Sequence, residues 1–114
     1  MRFYVARTLE KIKMYGPIYD FESAVPDKVD EYFVEDFNDC FLDNMIDRIN
    51  ATCDTLLDDG DVDYISAEMC KELVTMLNNL PQGFVPKENR EAVDVLLEYA
   101  KRAIDYNTGI EIEM

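Results

Sequence analysis

The chain has 114 residues, with 25 acidic and 11 basic side chains, a net charge of −14, no histidine, no tryptophan and three cysteines. The lack of histidine excludes Ser-His-Asp and Cys-His catalysis, an imidazole metal site and a histidine pH switch, and the negative charge opposes direct binding to nucleic acid or an anionic membrane. With 48% hydrophobic and 11% aromatic residues, the length fits one compact domain over residues 1–114 better than a disordered acidic tail.

Taken in chain order, the apolar residues recur mostly at helical spacing. Val5, Leu9 and Ile12 share one face of a first predicted helix, which Gly16-Pro17 terminates. Phe3, Val5 and Leu9 also fall on alternate positions, so a strand is the second reading there. Residues 16–26 form an irregular connection carrying Ile18, Tyr19 and Phe21. Asp27, after Pro26, is a good N-cap, and Val29, Phe33 and Phe37 follow at intervals of four.

The apolar stripe shifts phase near Asn38, which predicts a kink or a new helix capped by that residue. Phe41, Leu42, Met45, Ile46, Ile49, Cys53, Leu56 and Leu57 then mark the inner face. Asp58-Asp59-Gly60-Asp61 is a turn. Ser66 caps the next helix, with Met69, Cys70, Leu73, Val74 and Leu77 inside, and Pro81 follows its end. Pro86 suits the first turn of a last helix with Ala92, Val93, Leu96, Leu97, Ala100, Ala103 and Ile104 on its stripe. Asn107-Thr108-Gly109 closes that helix, and the alternation of Ile110 to Glu113 adds a short terminal strand, beside an extended Phe3-Val5. The predicted architecture is a mainly α bundle of four to five helices with a short terminal strand pair.

Charge is unevenly spread. Residues 1–19 carry four basic groups and one acid, residues 20–63 fifteen acids and two basic groups, and residues 64–114 nine acids and five basic groups. On a continuous helix Asp39, Asp43, Asp47, Asp54 and Asp58 fall within an arc of about 100°, opposite Met45, Ile49 and Leu56, and Glu35 and Asp36 extend the charge N-terminally. Like charges four residues apart weaken a helix, so a sequence shaped for helix stability alone would mix lysine into these positions. The seven residues are therefore the candidate docking surface for a basic partner, against the simpler reading of a solvated face.

Other chemistry is poorly supported. Residues 58–68 resemble a calcium loop superficially, but aligning Ile65 to the eighth position puts Asp63 where glycine is required and Met69 where the bidentate glutamate belongs. The four glycines stand alone, so there is no phosphate-binding loop, and Glu-x-x-His metal motifs cannot exist. A carboxylate pair could in principle work as acid and base, yet every candidate also reads as an ordinary surface acid. No catalytic residue, metal or cofactor is expected. Cys40, Cys53 and Cys70 form no C-x-x-C pair and read as reduced thiols. The first apolar stretch is cut by Arg7, short of the roughly 7–15 residues of a signal peptide core, and no segment approaches the ~20 apolar residues of a membrane span. These features predict a cytoplasmic protein.

The resulting expectation is a non-enzymatic acidic inhibitor of a basic protein, specifically an immunity protein blocking a nuclease-type toxin, since nuclease sites are basic. A nucleic-acid mimic blocking a defence nuclease uses the same physics. The alternative is a non-catalytic helical adaptor or assembly subunit, with carboxylate enzymology a distant third. No contact with nucleic acid or membrane is expected, and oligomeric state is left open.

Overall fold

In the computed structural model, which describes residues 1–114, the first element is a strand, β1 (Arg2–Ala6). It is followed by a two-stranded ribbon of β2 (Met14–Tyr15) and β3 (Ile18–Tyr19), and then by β4 (Val29–Phe33). Helix α1 (Asp39–Cys53), β5 (Val62–Ser66), α2 (Ala67–Asn78), α3 (Arg90–Tyr106) and β6 (Gly109–Glu113) complete the chain. Four strands form one antiparallel sheet in the order β4-β1-β6-β5. The fold is thus mixed α/β, three helices on a four-stranded sheet, and the expected helical bundle is wrong.

Two segments account for the error. Val5 to Ile12 was expected to be a helix, but residues 2–6 run down the middle of the sheet. Phe3 and Val5 face the helices, whereas Tyr4 and Ala6 face a second small core with Phe21 and Val29. A strand buried on both faces shows no alternation of polar and apolar residues. Val29 and Phe33, four apart, satisfied the helical period, but residues four apart also share one face of a strand. The structure makes them the two ends of β4, paired Val29 with Ala6 and Phe33 with Arg2.

The main core lies between the sheet and the helices. Phe3, Val5, Ile65, Ile110 and Ile112 meet Ile49, Leu73, Leu96 and Ala100 there. α3 lies on β1 and β6, α2 packs beside α3, and α1 packs against α2. Residues 7–28 cover the opposite face, where Tyr19, Phe21 and Tyr64 pack ring against ring. Gly109 is required at the head of β6, because a Cβ there would overlap the Tyr64 ring. As the sequence predicted, Asn38 caps α1 and Ser66 caps α2, each accepting a backbone N–H three residues on. Asn107 ends α3 in the left-handed conformation, and β6 pairs with β1.

Candidate functional site

The acidic surface is built on α1. Phe41, Met45, Ile46, Ile49 and Cys53 are buried, so Asp39, Asp43 and Asp47 are turned to solvent. Asp39, in the first turn, is favourably placed against the helix dipole; Asp43 and Asp47 have no such benefit. The helix stops at Cys53, because Asp54 adopts left-handed angles (φ 56°, ψ 39°). Asp54 and Asp58 are therefore not on a continuation of the helical stripe, which corrects the expected five-residue arc.

Asp58 reaches the site by another route. Asn50, on the last turn of α1, holds the returning chain: its Oδ1 accepts the Thr55 hydroxyl at 2.6 Å and the Leu57 N–H at 2.9 Å, and its Nδ2 donates to the Leu57 carbonyl at 3.0 Å. Leu57 is thereby buried and Leu56 is left 86% exposed. Asp63 accepts the Leu56 N–H at 3.0 Å, and Gly60, at φ +82°, turns the chain back into β5. The outcome is a cleft of about 570 Å³ with Asp43 and Asp47 on one wall, Asp58 and Asp59 on the other, and Leu42, Ile46, Leu56 and Leu57 between.

Glu35 and Asp36 belong to a different place. They line a second cleft, of about 370 Å³, with Tyr32, Phe33 and the α3-side acids Glu88 and Glu91. Asn89, only 1% exposed, fixes this segment: its Oδ1 accepts the Asn38 N–H at 3.3 Å and its Nδ2 donates to the Asp36 carbonyl at 2.8 Å. The seven predicted residues are all exposed, but they divide into two groups. Asp43, Asp47 and Asp58 come together, Glu35 and Asp36 come together elsewhere, and Asp39 and Asp54 line neither cleft. Sequence reasoning missed Asp59, Glu88 and Glu91 as wall residues and Asn50 and Asn89 as the residues that shape the walls. The Asp58-Asp59 pair pointed to Asp59; nothing in the one-dimensional pattern pointed to the others.

None of the seven predicted residues forms an ion pair. The five ion pairs join Arg2 to Glu31, Arg7 to Asp30, Lys71 to Glu68, and Arg102 to both Asp30 and Glu98. Arg48, adjacent to Asp47 in sequence, stacks its guanidinium over Phe84 at 4.6 Å. The carboxylates of the main cleft are left as uncompensated, hydrated charges beside exposed leucine. Such an arrangement attracts cations and basic surfaces.

Burial perturbs titratable groups on the sheet and within the core. Glu111 is 2% exposed on β6, and desolvation pushes its carboxyl up to about 8; Asp20 and Asp63 push the same way, while the backbone N–H groups of Tyr19 and Phe21 pull it back. It accepts the Tyr19 N–H at 2.9 Å and so pins residues 7–28 to the sheet. Burial likewise pushes the Cys53 and Cys70 thiols up to about 11 and 12. Residues 58–68, which resembled a calcium loop, are a turn, strand β5 and the first two residues of α2. No group of three His, Cys, Asp or Glu side chains is placed to hold a metal ion, and no helix is long and apolar enough to cross a membrane. No family model, curated protein or solved structure matches the chain.

Proposed function

We propose that this chain is an acidic binding protein that neutralises a basic partner, and that the partner is a nuclease-type toxin for which the chain acts as immunity protein. The observation that carries the reading is the cleft between α1 and the 54–61 loop. It holds Asp43, Asp47, Asp58 and Asp59 with no basic side chain paired to them, and it surrounds an exposed Leu56. A nuclease site is lined with Lys and Arg because it binds phosphates. Opposed carboxylates steer the encounter and fix its orientation, and an apolar anchor at the centre of a charged rim supplies contact that excludes water. The carboxylate rows occupy the place of phosphates, so the same surface serves a nucleic-acid mimic.

The test starts from gene order, since an immunity gene lies directly after its toxin's gene. The nuclease encoded upstream is titrated with the purified chain, and cleavage of a DNA or RNA substrate should stop at one-to-one stoichiometry. If the nuclease cuts at an undiminished rate with the chain in excess, the reading is wrong.

A further inference from the structure

We infer that β4 is a docking edge, and that a basic extended segment of the partner adds to the sheet beside it as a fifth strand. The inference rests on the partner being basic, as proposed above, and assigns it a second point of contact. β4 is the terminal strand of the sheet and bonds to β1 alone. The Val34 N–H donates to the Met1 carbonyl and the Arg7 N–H to the Lys28 carbonyl. In an antiparallel ladder bonded pairs alternate, so Asp30 and Tyr32 spend their backbone groups on β1. The N–H and C=O of Val29, Glu31 and Phe33 therefore point away from β1; Val29 is fully buried, which leaves Glu31 and Phe33 as the open edge, where the chain supplies no partner.

The opposite edge is treated differently. On β5 the Tyr64 N–H donates to Asp63 Oδ1 at 2.9 Å, and the other oxygen of that carboxylate takes the Leu56 N–H of the neighbouring loop. One carboxylate thus ties off the exposed edge at its centre and secures a loop beside it, a usual way to blunt a strand. On β4 no side chain bonds the outward backbone groups of Glu31 and Phe33, and Phe33 is 53% exposed with the Arg2 guanidinium over its ring at 5.2 Å.

Charge selects the occupant. Asp30 is neutralised by Arg7 and Arg102, and Glu31 faces Arg2. Past the strand's C-terminal end, Glu35, Asp36, Glu88 and Glu91 line a cleft that contains no cation. A second copy of this chain would bring the same carboxylates together, and with a charge of −14 on each molecule that pairing is opposed. A strand carrying Lys or Arg instead gains main-chain bonds at Glu31 and Phe33 and places a cationic side chain in the cleft, beside Tyr32 and the four carboxylates.

The experiment titrates the intact chain with a peptide of about nine residues alternating Lys and Val, followed by amide NMR and hydrogen exchange. A counterpart N-methylated at every residue keeps the charge and removes every backbone donor. Binding of the first peptide should slow exchange at Glu31 and Phe33 and shift Glu35, Asp36, Glu88 and Glu91. The N-methylated peptide should bind about tenfold more weakly or worse, from the loss of two or more hydrogen bonds. Equal binding of the two peptides, or binding that leaves the β4 amides unprotected, overturns edge pairing and leaves the toxin reading untouched. Failure of the unmodified peptide to bind overturns it as well. Asp43→Asn with Asp47→Asn should not alter peptide binding; abolition would relocate the peptide to the α1 cleft. Protection of Glu31 and Phe33 that grows with protein concentration alone would give the edge to a second copy and refute the basic occupant.

Discussion

Glu111 shows how one side chain couples the outer layer of this protein to pH. Its register neighbours are Tyr4 on β1 and Tyr64 on β5, and the Tyr19 N–H reaches it from the ribbon. Its carboxyl lies near 8 in the fold against 4.5 in the unfolded chain. A folded-state value above the unfolded one means that the native protein holds the proton more tightly. That contribution to stability is complete below pH 4.5, fades as pH rises, and is gone above about 8. Relative to Glu111→Gln, the native protein should lose stability between pH 5 and pH 9 in denaturant melts; a constant difference would show that Glu111 is ionised within the fold.

The cysteines separate in the same way. Cys40 is exposed on α1, while Cys53 and Cys70 are buried with thiols raised far above neutral pH. Because the thiolate is the reactive form, a thiol-alkylating reagent should add once to the native protein, at Cys40, and three times after denaturation. Intact mass measures both. Early modification of Cys53 or Cys70 would contradict the packing described for α1 and α2.

At the scale of elements, what the sequence revealed depended on local signals. The α2 and α3 stripes, the Asn38 and Ser66 caps and the alternation of Ile110 to Glu113 each depend on neighbours a few residues away, and each corresponds to an observed element. β1 and β4 depend on distant ones. The burial of Tyr4 follows from residues 19–29 folding over it, and Val29 and Phe33 fit two periods at once until a sheet partner chooses. The site divides likewise. Its acidic character was visible in composition, whereas the grouping of Asp58 with Asp43 and Asp47 arises from the Asn50 side chain bonding the loop back onto α1. Asn50→Ala leaves the backbone of buried Leu57 without those partners and should cost roughly 1–3 kcal/mol of stability in urea melts. It should also increase amide exchange at Asp58 and Asp59. An unchanged melt and unchanged loop exchange would mean that Leu57 burial and the Asp63 bond to the Leu56 N–H hold the loop without Asn50.

For the whole molecule, the balance of charge is spatial as well as numerical. Lys11, Lys13 and Lys28 gather with Asp20 and Asp27 around a cleft in the covering segment, on the far side of the sheet from the helices. The unpaired carboxylates of α1 and the 54–61 loop occupy the helical side. For the basic partner proposed above, unpaired carboxylates on one side and lysines interleaved with acids on the other would orient the encounter. On the proposed function, the α1 cleft does this steering. The most direct measurement is the association rate of the proposed partner, a nuclease encoded directly upstream, with the chain and with the Asp43→Asn, Asp47→Asn variant, followed as ionic strength is raised toward 1 M, where the Debye length falls to about 3 Å. The variant should keep its fold and melt no earlier, since like-charge repulsion along α1 is relieved. It should associate severalfold more slowly at low salt, with a flatter salt dependence and convergence on the wild-type rate at high salt. Equal association rates for both proteins at low salt would show that the α1 cleft does not steer the encounter.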